Sequence, residues 1–181
     1  RGTPTLYYGD ELGLENVSIE ADKLQDPFGM ISPCADIGRD PERTPMPWDK
    51  SLNAGFTTGH PWLPLGKQHP ALSVEAQECE AGSMLSLTRA LLALRRREPA
   101  LSLGDWVPLE MTTGVLSYAR TSSDRRFIVA LNLNPIPKAI QLEAGLRGTI
   151  EISTHEKRTR EAVQGCVELG ANEAIIISVV C

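Results

Sequence analysis

Positive charge is in the minority in this chain. Lys and Arg number 18 against 23 Asp and Glu, a formal net charge of −5, and no basic run exceeds Arg95–Arg97. That balance argues against a nucleic-acid partner. No apolar stretch approaches the ~18 residues of a membrane span, so no membrane partner is expected either. Cysteine is sparse: Cys34, Cys79, Cys166 and Cys181 lie far apart with no C-x-x-C pair. Zinc ligation and a disulfide framework are therefore not expected, and buried or idle thiols in a reducing, cytoplasmic compartment are. His60, His69 and His155 stand singly and read as structural, because a catalytic imidazole needs a placed partner. No Asp/Glu cluster has the spacing of a calcium loop, so neither a metal nor another cofactor is expected from these residues.

What the chain does have is proline, concentrated in one place. Eight of its thirteen prolines fall between residues 13 and 81, a stretch with almost no sustained hydrophobic period. A structureless stretch of that length inside a compact domain points to function. Its densest part is "GRDPERTPMPWD", residues 38–49. Pro41, Pro45 and Pro47 remove three backbone donors, fix φ three times and push the preceding residues towards extended conformations. The expected product is a rigid loop that either braces the fold or presents the guanidinium of Arg39 or Arg43 to a ligand.

Regular structure flanks this loop. "TLYY", Thr5–Tyr8, reads as a short strand bounded by glycines. In "SMLSLTRALLALRRREP", Met84, Leu87, Leu91 and Leu94 follow helical spacing, and Leu85 and Leu92 broaden the stripe. Ser83 serves as N-cap, Arg95–Arg97 complement the helix dipole and Pro99 ends the helix. After Gly104 the period becomes two. "VLSYAR", "RFIVALNLNP", "KAIQLEA", "GTIEIST", "CVELG" and "EAIIISVV" form a series of short strands, with Phe127, Val129, Leu131 and Leu133 on one face. This pattern predicts an antiparallel β-sandwich of roughly 75 residues. A lone strand and helix cannot form a domain. Residue 1 is Arg rather than Met, and the opening reads like the middle of a fold, so an internal start is expected.

These residues carry a family likeness. "GTPTLYYGDELG" resembles the last barrel strand and following turn of the α-amylase superfamily of glycoside hydrolases, where G-x-P-x-x-Y-Y-G-x-E-x-G recurs. "GRDPERTPMPWD" followed by "NAGFTTGHPWLPL" resembles the narrower α-glucosidase and oligo-1,6-glucosidase branch. The resemblance implies the C-terminal end of a (β/α)₈ TIM barrel over residues 1–103, comprising the last strand, a long loop and the last helix. An antiparallel β-sandwich over 104–181 completes the expected fold. It implies a retaining enzyme that releases terminal α-linked glucose from oligosaccharides, whose two carboxyl groups stand roughly 5 Å apart. In the family those carboxylates precede the segment seen here, so no catalytic residue is expected in this chain. Its partners would be the α-glucoside and the missing N-terminal barrel.

The resemblance also assigns roles. Active sites of such barrels gather on the βα loops, so residues 9–81 form the eighth loop, overhanging the sugar pocket. Arg39 matches the arginine that grips terminal glucose beside an aspartate, a task suited to a planar, permanently charged donor. Arg43 is expected to brace the loop. Asp26 lies where relatives shape the entrance beyond the first sugar site, and Glu11 reads as an inner hydrogen-bond partner. Asp40 should satisfy nearby backbone donors; Phe56 and Trp62 could stack on sugar, but burial under the loop is the expected use of each. The connection from Gly13 to Gly38 is shorter than in several oligo-1,6-glucosidases, leaving both α-1,4 and α-1,6 linkages open. A catalytically silent relative, such as an ancillary subunit of amino-acid transporters, is the alternative, and the intact arginine loop weighs against it. A free-standing carbohydrate-binding sandwich is disfavoured, because residues 105–181 hold only Trp106, Tyr118 and Phe127 as aromatic candidates.

Overall fold

The computed structural model describes residues 2–31, 38–109 and 112–180. Two compact units divide the chain: one spans Thr5–Thr88, and the other takes in the chain from Arg89 onward together with the first four residues.

The first unit is built from short pieces. Single 3₁₀ turns at Asp10–Leu12 and Ala21–Lys23 lead to α1 (Pro27–Ile31), and further turns follow at Asp40–Arg43 and Leu52–Gly55. Then come α2 (Val74–Glu78) and α3 (Met84–Arg97), whose first turns close this unit. The prolines account for the brevity, since each withholds a donor that a longer element would need. Leu12, Met46 and Leu85 form a small core, with Leu14 and Val74 packed against it. Both serine caps form: Ser73 Oγ accepts from the Ala76 N–H at 3.3 Å, and Ser83 Oγ from the Ser86 N–H at 3.1 Å. One buried amide ties three segments. Gln77 Nε2 donates to the carbonyls of Leu12 and Leu72 at 2.9 and 3.0 Å, while its Oε1 accepts from the Leu85 N–H at 3.0 Å.

Thr5–Tyr8 carries no strand. A strand exists only through its ladder, and no described residue pairs with this segment; Leu6, Tyr7 and Tyr8 stand about half exposed. Phe56 and Trp62 are likewise 46% and 61% exposed rather than buried. The expected stripe of α3 is buried only at Leu85 and Leu94, while Met84, Leu91 and Leu92 remain open to solvent. Cys79 and Cys166 are exposed, not buried; Cys34 and Cys181 lie outside the described residues.

In the second unit, α3 ends at Arg97 and Pro99 opens a one-turn helix, α4 (Pro99–Ser102). Arg95 does more than complement a dipole. Its guanidinium donates to the Leu101 carbonyl at 2.6 Å and to the Gly2 carbonyl at 3.1 Å. Eight strands follow: β1 (Asp105–Pro108), β2 (Val115–Thr121), β3 (Arg126–Asn132), β4 (Lys138–Gln141), β5 (Arg147–Ser153), β6 (Ala162–Gln164), β7 (Cys166–Leu169) and β8 (Ala174–Val180). Six form one sheet in the order β1-β2-β3-β8-β5-β6, and β4 pairs with β7 in a second; every pairing is antiparallel. Ile128, Ala130, Ile150, Ile175 and Ile177 from the larger sheet share a core with Ile140, Val167 and Leu169 from the smaller.

The face of β3 differs from the alternation read in the sequence. Ile128 and Ala130 enter the two-sheet core, whereas Phe127 packs with Leu94, Ala100 and Leu101 of the helical segments. Val129 and Leu131 are only partly buried, and Leu133 is 70% exposed. The larger sheet has apolar cover on both sides, so both faces of β3 carry hydrophobic residues and the period gives no preference between them. A bulge between Ile150 and Ile152 adds to this: Ile150 lies in the two-sheet core and Ile152 against the helical cluster. Two residues apart would ordinarily share a face; the extra residue reverses that.

Candidate functional site

The proline-rich strap is held by two carboxylates aimed at backbone. Asp40 is fully buried, and its Oδ2 accepts the N–H groups of Gln25 at 2.6 Å and Asp26 at 2.8 Å. Asp26, 5% exposed, returns the grip: Oδ1 accepts from the Phe28 N–H and Oδ2 from the Arg39 N–H, both at 3.0 Å. The Asp26–Phe28 bond is the local turn that an Asp before Pro27 favours. Segments 25–28 and 38–40 are thereby interlocked. Where they cross, a Cβ on Gly38 would lie 3.0 Å from the Gly29 Cα, so a side chain there would push the two backbones apart.

This arrangement sets the electrostatics. The Phe28 N–H first, then that of Arg39, holds the Asp26 carboxyl below the usual carboxylate range, with the Arg43 guanidinium adding to the effect. Asp26 stays ionised and committed to its backbone donors. The structure places it as a buried lock of the loop. Arg43 lies 3.8 Å from Asp26 Oδ2 with its side chain 41% exposed, a loose pair of modest strength.

Arg39 is the contrast. Its backbone is fixed by Asp26 and it opens the Asp40–Arg43 turn at φ −97°, ψ 1°. Its side chain is exposed and makes no hydrogen bond or ion pair with a described residue. Glu11 lies in the turn after Tyr8, where its Oε2 accepts the Gly9 N–H at 2.8 Å; Gly9 has φ +97°, a conformation glycine favours. Tyr8 Oη donates to the Thr44 carbonyl at 2.9 Å, joining the opening motif to the strap. Burial, then Tyr7, raises the Tyr8 pKa against the opposing pull of Arg43. Tyr7, Tyr8, Asp10, Asn16, Glu42 and Thr44 line a cleft of about 80 Å³. That is well under the ~300 Å³ at which ligand pockets begin, so these residues form a wall and not an enclosure. Among the described residues no three His, Cys, Asp or Glu converge on a metal position.

Asp40 satisfies backbone donors as expected, those of Gln25 and Asp26, whereas the answering lock of Asp26 on Arg39 and the Tyr8–Thr44 tie were not legible in the sequence. The D-P dipeptide at Asp26–Pro27 signals a turn, but the partner thirteen residues away comes only from the fold.

Comparison with known proteins agrees with this picture. The family profile "Alpha amylase, catalytic domain" matches residues 1–104. A glucan 1,6-alpha-glucosidase of Streptococcus pneumoniae is 31% identical over 89% of this chain and 33% of its own length. An oligo-1,6-glucosidase of Parageobacillus thermoglucosidasius is 31% identical over 74% of the chain and 27% of its own length. Among solved structures, isomaltulose synthase from Klebsiella sp. LX3 superposes with a TM-score of 0.86 at 26% identity, over 99% of this chain and 36% of that one. The chain thus spans about a third of the length of the relatives it matches. It belongs to the α-amylase catalytic-domain family, in the α-glucosidase branch of that superfamily.

Proposed function

We propose that this chain is the C-terminal part of a retaining α-glucosidase that releases terminal α-linked glucose from oligosaccharides, with Arg39 as a glucose-binding residue. Residues 1–103 complete the catalytic barrel and 104–181 form a separate sandwich; the compartment is cytoplasmic. One observation carries the site assignment: the exposed Arg39 guanidinium makes no hydrogen bond or ion pair with a described residue, feeling only a longer-range attraction to Asp26, while its backbone is pinned by that buried carboxylate. A fixed, planar donor of this kind suits a pair of sugar hydroxyls, and its fixation lowers the ordering cost of binding. Leu6, Tyr7 and Tyr8, about half exposed and in no ladder with a described residue, support a barrel strand whose neighbours lie in the preceding part of the protein. Both curated relatives carry a 1,6 linkage in their names, so an isomaltose-type substrate is the first to assay.

The test is made in the full-length enzyme. Arg39→Lys keeps the charge and loses the bidentate geometry. Losing one charge-assisted bond is worth about 1.5–3 kcal/mol, or roughly ten- to a hundred-fold in kcat/KM. Arg43→Lys should lower Tm more than it lowers kcat/KM. If Arg39→Lys stays within about twofold of wild type while Arg43→Lys abolishes turnover, the two roles are reversed. The chain by itself should not hydrolyse an aryl α-glucoside, because the resemblance puts the acid and the nucleophile in the part of the barrel before the matching segment; saturable turnover surviving repurification would overturn that placement of the chemistry.

A further inference from the structure

Away from the strap, one turn in the first unit is closed by a histidine in a way that only the neutral imidazole permits. His69 is 2% exposed. Its backbone N–H donates to the Gly66 carbonyl at 3.1 Å, and its Nδ1 accepts the Gly66 N–H at 3.2 Å. The two bonds form a reciprocal lock across residues 66–69. Gly66 lies so close to the ring that a Cβ there would stand 2.8 Å from His69 Cδ2 and Nε2, and 2.9 Å from Val17 Cγ2. Because Nδ1 is the acceptor, the neutral ring carries its proton on Nε2, which is buried without a partner.

We infer that the Gly66–His69 turn is an acid-sensitive clasp: protonating Nδ1 sets N–H against N–H at Gly66, breaks the lock and releases the segment up to Leu72. The proton comes from solvent and leaves the same way; no other bond changes. The charged residues that line the same cavity as His69 are Glu15 and Lys67, and both are exposed. Neither pairs with the ring, so nothing compensates a buried imidazolium, and burial accordingly lowers the His69 pKa.

The release has somewhere to go. Residues 68–72 continue the turn through the Ala71 and Leu72 N–H bonds to the Gln68 carbonyl. The next residues anchor the strap: the Val74 N–H donates to the Pro47 carbonyl at 2.9 Å and the Glu75 N–H to the Trp48 carbonyl at 3.0 Å. Opening the clasp therefore loosens the mooring of the "RTPMPW" stretch. This inference stands on the turn's own geometry and is independent of the proposed glucosidase activity.

Hydrogen exchange in the full protein tests it. With the chemical pH dependence removed, the Gly66–Leu72 amides should exchange up to about tenfold faster per pH unit as pH falls from the ordinary histidine value of 6.5 towards the lower folded-state pKa of His69, and level off below it. Amides of β3 and β8 should not respond over the same range. His69→Gln, which offers an acceptor that does not titrate, should flatten the response. If that variant does not fold, the wild-type imidazole titration by NMR decides: the Gly66 amide must shift with the same midpoint as His69. Protection of Gly66 unchanged through the titration of His69, or an acid response that persists in His69→Gln, would overturn the clasp.

Discussion

The two units reach their native state by different means. From Asp105 to Val180, neighbouring strands are joined by backbone ladders, and the interior is a continuous set of aliphatic side chains. From Tyr7 to Ser86, most long-range ties run from one side chain to a backbone group: Asp40 to Gln25 and Asp26, Asp26 to Arg39, Tyr8 to Thr44, Gln77 to three segments. A ladder is redundant, since losing one bond leaves many. A side-chain knot is not redundant, and each knot holds a separate stretch. The sheet body should therefore respond to lost volume, and the strap region to lost hydrogen-bonding atoms.

Mutation can break this contrast. The largest effect is expected at Ile150, fully buried between the sheets: Ile150→Ala should cost about 2–5 kcal/mol by denaturant titration. Next comes Gln77→Ala, which strands the Leu12 and Leu72 carbonyls and the Leu85 N–H. At ~1–3 kcal/mol for a buried group left unpaired, with partial rescue by water, about 2–4 kcal/mol is expected, localised by hydrogen exchange to residues 7–88. A Gln77→Ala loss spread evenly over both units would dissolve the distinction.

A third test sharpens it from within the sheet body, where buried polar knots also occur, at Asn132 and Glu173 among the described residues. Glu173, 1% exposed, accepts from the Gly170 N–H, the Ser153 hydroxyl and the Arg158 guanidinium. Burial pushes its pKa up, but Gly170, Ser153 and Arg158 together outweigh burial and hold it below its ordinary value of 4.5. The folded form thus binds its proton less readily than the unfolded chain. Its contribution is complete above about pH 4.5 and is lost as pH falls through the lower folded value. Tm should decline in that acid range, less steeply in Glu173→Gln; an equally steep decline would remove Glu173 from the cause. The smallest effect is expected at the partly buried Leu131, where Leu131→Ala should cost below about 1 kcal/mol. A loss equal to that of Ile150→Ala would mean that β3 presents the opposite face to the core.

The same contrast explains what could be read in advance. Helix α3, its Ser83 cap and most sheet strands were legible, because periodicity and turn residues are local. The faces of β3 were not, because cover on both sides erases the alternation around Phe127 and Ile128. Nor was the Ile150/Ile152 reversal, which depends on a bulge. Thr5–Tyr8 has the composition of a strand, but composition cannot supply a neighbour. At the candidate site the motif pointed to Arg39, and the tension of proline with charge pointed to a rigid loop. What makes the loop rigid, two buried aspartates trading backbone donors, involves partners thirteen to fifteen residues apart and has no signature in spacing.

Gln77 has one more consequence, for how such a protein can diverge. Its amide closes a span of 65 residues onto the Leu12 carbonyl. Loop-closure entropy grows only logarithmically, by about 0.6 kcal/mol per doubling of length. Length changes between Leu12 and Gln77 therefore cost little in closure entropy where they fall between the span's other ties, at Asp26–Arg39, Asp40–Gln25 and Tyr8–Thr44, and leave the closing amide in place. In the sheets, by contrast, one added residue turns a strand's interior outward. Length change is better tolerated in the stretches between these ties than within the sheets, so new reach can be tried in the unit that carries Arg39 while the lock that holds its backbone stays intact.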